Sequence, residues 1–278
     1  MNKETAKKMG DMRLYGMQTA FNAFIDQPPT VTFTNDEMAQ YLVQNEWDDR
    51  KHRSLQRNIK TARFRYVADI DGIDFSTKRE LDKNQIDRLL SCEFIKKGQD
   101  VFITGSTGTG KSFLASAIGH QACLLGFKVY YANTAKLMSI LKMAKADGSH
   151  LRELARIEKQ DLLILDDFGI QAFDAGSRAL LMDIVEDRHG KHSTIIGSQV
   201  PVKNWYDVIG EQPVADAILD RLVHQSVRIE LKGESLRKTK KEIITEWNSK
   251  NYLINIDINN STFGKQKQLV LYHILGPN

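Results

Sequence analysis

Eight residues constrain this chain more than any others: Gly105-Ser106-Thr107-Gly108-Thr109-Gly110-Lys111-Ser112, a full match to G-x-x-x-x-G-K-[ST]. An apolar run, Val101-Phe102-Ile103-Thr104, precedes them, and Phe113-Leu114-Ala115-Ser116-Ala117-Ile118 opens a helix after them. Strand, glycine loop and helix in that order form the context in which this motif wraps phosphate. Glycines let backbone amides curl round phosphate oxygens with no Cβ in the way. The helix N-terminus adds the positive end of its dipole. Lys111 is placed to reach the β- and γ-phosphates of a nucleotide, and the Ser112 hydroxyl to ligate Mg²⁺. Gly105 through Ser112, with Phe113 beside them, are the predicted nucleotide-binding residues.

A phosphate loop of this kind needs an acid beside its metal. Asp161-Leu162-Leu163-Ile164-Leu165-Asp166-Asp167 supplies one. Four apolar residues predict a buried parallel strand, and acids emerge at its carboxyl end, where such sheets bind ligands. Asp166 is the predicted metal acid, directly or through a water, and Asp167 is next in line to polarise an attacking water. A further apolar strand, Ser193-Thr194-Ile195-Ile196-Gly197-Ser198-Gln199, ends in polar groups. A polar side chain there, Gln199 for instance, can sense the γ-phosphate or position water. Arg221 and Arg237 follow, on either side of a last strand. An arginine from a neighbouring subunit can neutralise charge developing on a transferred phosphate. The plainer reading of Arg221 is an ion pair with Asp216 or Asp220, and that of Arg237 is a basic surface.

Around these motifs, short apolar runs alternate with amphipathic helices, which predicts an α/β fold with a mainly parallel sheet. Strands are expected at 101–104, 128–132, 162–166, 194–198 and 227–231, and helices at 83–95, 111–125, 135–146, 177–189 and 216–224. An acidic pair directly after its strand, with another strand inserted before it, favours attack by water over transfer to a small-molecule acceptor. A small-molecule kinase is the competing reading from another class.

The first 68 residues instead read as a small all-α domain. Met12, Leu14, Met17, Ala20, Phe21 and Phe24 recur at helical spacing, and Pro28-Pro29 ends that helix. Thr34-Asn35-Asp36-Glu37 starts another, with Met38, Tyr41 and Leu42 expected to face inward. A second helical run from Trp47 to about Arg65 is strongly basic. Its Arg50, Lys51, Arg53, Arg57, Lys60, Arg63 and Arg65 have no acid among them. Such a segment suits DNA phosphates, which give affinity without sequence readout; a solvated helix face is the plain alternative. Residues 69–247 are the expected ATPase domain, with a connector to about 82, and 248–278 a tail.

Composition excludes several classes. With 278 residues, 41% hydrophobic and 27% charged, the chain is long enough for a sizeable core, so wholesale disorder is excluded. A net charge of +4 neither demands nor forbids an anionic partner, so charge distribution decides. Cys92 and Cys123 form no CxxC pair and read as buried apolar side chains of a cytoplasmic protein. No signal peptide or apolar run of ~18 residues is visible, so no membrane partner is expected.

Together the motifs over residues 85–241 resemble the AAA+ ATPases, and most of all the IstB/DnaC-like group. Ser198-Gln199-Val200-Pro201-Val202-Lys203-Asn204-Trp205 and Ile218-Leu219-Asp220-Arg221-Leu222-Val223-His224 are similar to IstB-type transposition helpers. That resemblance puts Lys111 and Ser112 on the Walker A positions and Asp166 on the Walker B acid. Asp167 falls where many relatives have Glu, Ser198 and Gln199 near sensor 1, Arg221 on the arginine finger and Arg237 near a second sensor. It implies a homo-oligomer assembled through its ATP sites on double-stranded DNA, which recruits a transposase and is reset by ATP hydrolysis with Mg²⁺. The alternative is a DnaC-like loader of a replicative helicase.

Overall fold

The computed structural model describes residues 2–26, 33–66, 68, 70–75, 80–224 and 226–236. Pro28-Pro29, Arg237 and the predicted tail lie outside the described residues. The chain divides into two compact units. One holds Met1–Ser106 and Lys111–Lys232; in the other, Thr107–Gly110 joins the chain from Gly233 onward.

The chain begins with three helices, α1 (Asn2–Asp11), α2 (Tyr15–Asp26) and α3 (Asn35–Ala62). Thr34 and Glu37 cap α3 reciprocally: Thr34 Oγ1 accepts from the Glu37 amide, and Glu37 Oε2 accepts from the Thr34 amide at 2.8 Å. The two helical runs read from the sequence are one helix of 28 residues, ~42 Å long. Its first turns carry less core than expected: Tyr41 is exposed and Trp47 is 57% exposed. The inward residue is Glu46. Its buried carboxylate accepts from the Gly16 amide at 2.9 Å and the Met17 amide at 3.2 Å, satisfying donors of the first turn of α2. Gly16 lacks a Cβ where one would collide with the Asn45 carbonyl of α3.

Next come α4 (Lys83–Leu90) and α5 (Glu93–Lys96), a pair where one helix was expected. The break falls at Cys92, whose φ is 57°. The core then alternates β1 (Val101–Gly105), α6 (Lys111–Leu124), β2 (Val129–Asn133), α7 (Thr134–Ala146), α8 (His150–Glu158), β3 (Leu162–Phe168), α9 (Ala175–Arg188), β4 (Ser193–Ser198), α10 (Trp205–Ile209), α11 (Gln212–Val223) and β5 (Val227–Leu231). All five expected strands form, shifted by a residue or two at their ends. Helix α8 was not anticipated, and α9 and α11 start earlier than expected. Asp174 caps α9 by accepting from the Ser177 amide at 2.8 Å.

The strands are parallel, in the order β2-β3-β4-β1-β5. Alternation along them splits the core in two. Phe102, Leu163, Leu165 and Ile196 pack with α7, α9, α11 and Trp205 on one face. Val101, Ile103, Leu162 and Ile164 pack with α4, α5 and α6 on the other. Ala62, at the end of α3, is fully buried in this second cluster, with Leu55, Ile59 and Phe64 against it. The basic helix is thereby anchored to the sheet. Cys92 and Cys123 are buried here too, and burial pushes their thiols up to about 11 and about 12. Among the described residues, no helix is long and apolar enough to cross a membrane.

Candidate nucleotide site

β1 ends at Gly105 and α6 begins at Lys111, so both ends of the glycine loop are at the carboxyl edge of the sheet. Gly105, Gly108 and Gly110 have φ of 146°, 83° and 100°, values that favour glycine. Lys111 is buried, and its Nζ donates to the carbonyls of Gly105 and Ser106, both at 2.7 Å. The ammonium thus braces the two residues that open the loop. In the second unit the Leu236 amide donates to the Gly108 carbonyl at 2.9 Å, and Ser235 fills the space a Cβ on Gly108 would need. Ser112 and Phe113 are half-buried in the first turn of α6. The Phe113 ring lies against Gly72, where a Cβ would come within 2.8 Å of it.

The two acids at the end of β3 are treated differently by the fold. Asp166 pairs in register with Asn133 of β2, and its side chain is 1% exposed. Its Oδ2 accepts from the Tyr131 hydroxyl, and Thr134 Oγ1 donates to its backbone carbonyl at 2.9 Å. Burial raises the Tyr131 phenol, and its bond to Asp166 raises it further, so it stays a donor. Asp166 Oδ1 is buried without a hydrogen-bond partner among the described residues. A carboxylate oxygen left without a donor suits a hard cation, so this residue fits a Mg²⁺ ligand.

Asp167 sits at an irregularity in the β3–β4 pairing, with φ 58°. Phe168 holds the strand beyond it, fully buried with its ring 4.8 Å from Trp205 and 5.2 Å from Phe173. Ser198 Oγ donates to the Phe168 carbonyl at 2.7 Å. The kink turns the Asp167 carboxylate outward, where Asn133 Nδ2 donates to it at 3.0 Å.

Arg65 completes this cluster. Its Nη1 lies 3.1 Å from Asp167 Oδ2 and 3.4 Å from Asp166 Oδ2. The sequence grouped Arg65 with the basic helix as a DNA contact; the fold puts it on the acids. The rest of that group divides. Arg50 pairs with Glu46 at 2.5 Å, Arg53 with Asp49 at 2.7 Å, and Lys51 lies over Trp47. Arg57, Lys60 and Arg63 are exposed along the last turns of α3.

Gln199 is half-buried just past the end of β4, the strand whose Gly197 lies beside Asp166: a Cβ there would meet Asp166 Oδ1 at 2.8 Å. Arg221 is elsewhere. It lines a cavity of about 290 Å³ with Asp100, His189 and His224, and donates to the Ala217 carbonyl at 2.9 Å. Among the described residues it has no ion pair with Asp216 or Asp220. Asp100 immediately precedes β1, so this cavity is at the amino edge of the sheet, one strand length, ~16 Å, from Gly105 at the other end of β1.

Sequence reasoning missed Tyr131, Asn133 and the role of Arg65. Tyr131 and Asn133 share one face of β2 by the period of two, but only the adjacency of β2 and β3 turns them toward Asp166 and Asp167.

The model of the IstB-like ATP binding protein family matches residues 7–243. This chain belongs to that family. A Sinorhizobium fredii relative, named as an insertion sequence ATP-binding protein, is 38% identical over 237 residues, 85% of this chain and 97% of the relative. Among solved structures, DnaI is 20% identical with a TM-score of 0.53, covering 64% of this chain and 94% of that one. The replication initiator DnaA, bound to AMPPCP and single-stranded DNA, is 18% identical with a TM-score of 0.54, covering 76% and 60%. These two likenesses establish the fold. The IstB-like chain is therefore an ATPase with an AAA+ core, bearing out the family and fold the motifs implied.

Proposed function

We propose that this IstB-like ATPase is a helper of transposition that assembles on double-stranded DNA, recruits a transposase and is reset by ATP hydrolysis. Family membership and relatives named for insertion sequences support the setting. The observation that carries the assembly is the position of Arg221. It lies at the opposite sheet edge from Lys111 and Asp166, farther than an arginine side chain reaches within one chain. As a finger it therefore serves ATP held by a neighbouring subunit. The deciding experiment sizes the protein with ATP, with duplex DNA and with both, then adds a transposase or a replicative helicase. Higher-order complexes that need both ligands and bind the transposase support the reading. A nucleotide- and DNA-independent monomer contradicts it, and selective binding of the helicase replaces transposition with helicase loading.

In the site itself, Lys111 neutralises phosphate charge, and Ser112 and Asp166 hold Mg²⁺ through hydroxyl and carboxylate oxygen. The bound cation supplies further neutralisation of the phosphates. Asp167, turned outward and oriented by Asn133, orients the attacking water and draws its proton. Gln199 serves as the polar sensor at the end of β4, and Arg237 as an additional phosphate contact. Asp166→Asn should weaken Mg²⁺-dependent ATP binding and turnover together. Asp167→Asn should retain binding and slow hydrolysis by ~10²–10⁴-fold, the usual contribution of a positioned base. Equilibrium nucleotide binding measured beside steady-state turnover checks this; equal losses in both quantities for both variants would refute the division of labour.

The DNA surface is assigned to Arg57, Lys60 and Arg63, with Arg50, Lys51 and Arg53 flanking them behind their local contacts. Neutralising Arg57, Lys60 and Arg63 together should flatten the dependence of log K on log[salt] by up to ~0.9 per lost phosphate contact. Fluorescence anisotropy with duplexes of two unrelated sequences at several salt concentrations measures it. An unchanged slope removes this helix from the DNA interface.

A further inference from the structure

We propose that Arg65 is a displaceable cationic plug on the metal acid Asp166 and its neighbour Asp167, through which the basic helix α3 controls loading of Mg²⁺·ATP. Three observations build it. First, Arg65 is delivered by that helix. Arg63 ends α3 in the left-handed conformation, φ 59°, and turns the chain toward the sheet. Phe64 then locks in, its ring 6.5 Å from His120 and 6.4 Å from Tyr131. Gly119 of α6 leaves the room, since a Cβ there would fall 2.6 Å from the Phe64 ring.

Second, Arg65 occupies the acids where a metal would compete with it. Its guanidinium takes Asp166 Oδ2 and Asp167 Oδ2, while Asp166 Oδ1 has no donor among the described residues. A divalent cation on Asp166 places like charge beside the guanidinium, so the two positions are antagonistic. Third, the plug is reversible. Arg65 is 43% exposed, whereas Asp166 is buried. An arginine that partly faces water holds its partners weakly and leaves without unfolding the core.

Arg65 is two residues beyond Arg63 and within eight of Arg57, and α3 is unbroken from Arg57 to Ala62. Resting on the reading that α3 binds DNA, a duplex that tilts or tightens the end of the helix moves Arg65 on the acids. By linkage, whatever draws Arg65 away favours the metal, and the metal in turn favours the DNA-bound position of the helix.

The test titrates Mg²⁺ against binding of a fluorescent ATP analogue to the full chain, without and with duplex DNA, and repeats the binding in EDTA. Arg65→Gln should lower the half-saturating Mg²⁺ concentration without DNA by roughly two- to fivefold, the factor a partly exposed ion pair carries. Its metal-free nucleotide affinity should be unchanged. Arg65→Lys keeps the charge and should keep most of the wild-type Mg²⁺ requirement, which separates the plug from a general disturbance of the turn. Duplex DNA should lower the requirement of the wild type toward that of Arg65→Gln and leave the variant alone. An unchanged or raised Mg²⁺ requirement in Arg65→Gln overturns the plug. A duplex that binds the wild type but shifts neither protein overturns the coupling. A duplex that fails to bind at all refutes the DNA reading instead, and the titration without DNA then still decides the plug.

Discussion

Lys111→Ala should weaken ATP binding roughly ten- to 150-fold and abolish ATP-dependent assembly with it. The ammonium is buried at the start of α6 and directed into the loop, where it donates to the Gly105 and Ser106 carbonyls. In the proposed site, the same group exchanges neutral carbonyls for charged phosphate oxygens. A hydrogen bond to a charged partner is worth about 1.5–3 kcal/mol, which sets the range of the loss. Fluorescent nucleotide binding gives the affinity, and a thermal melt without nucleotide separates a lost ligand contact from a loosened loop. Wild-type affinity in a folded variant would remove the glycine loop from the mechanism.

Arg221→Ala should leave ATP binding intact and lower turnover by as much as ~10³–10⁵-fold, the contribution of an arginine finger in related phosphate-loop enzymes. The cavity around Arg221 opens at the amino edge of the sheet, whereas Lys111 and Asp166 belong to its carboxyl edge. If the proposed trans role holds, a defect in Arg221 is a defect in what one subunit offers the next. Mixing the two inactive variants exposes this. On the proposed reading, Lys111→Ala holds ATP too weakly to load its own site but still presents Arg221, and Arg221→Ala holds ATP but has nothing to present. Mixed assemblies on DNA should regain turnover that neither protein has alone. Absence of recovery, together with a full defect in a monomer held apart by dilution, would return Arg221 to a role within its own chain.

Much of the site was legible because its chemistry is written in contiguous residues. A glycine loop ending in Lys111-Ser112 needs its neighbours in sequence, and so does an apolar strand ending in Asp166-Asp167. Strand positions were legible for the same reason, since each is a short apolar run bounded by polar residues. Helix ends were less so. Asp174 caps α9 so that the helix starts two residues before the expected position, and the break at Cys92 depends on a left-handed residue that no periodicity signals. The expected inward face of α3 failed at Tyr41, because Glu46 rather than an aromatic meets α2.

The local sequence by itself determined the phosphate loop, the acid-ended strand, the alternation of strands and helices, and the basic character of residues 50–65. Each follows from residues within one element. Tertiary structure decided which of those elements meet. Placing β2 beside β3 brought Tyr131 and Asn133 to the acids; anchoring Phe64 on α6 and β2 carried Arg65 out of the basic run and onto Asp166 and Asp167. The parallel sheet put Arg221 at the edge opposite Lys111 and Asp166. Charge pattern states what a side chain can pair with, but its partner is set by packing between elements 65 to 166 residues into the chain, which no local pattern encodes.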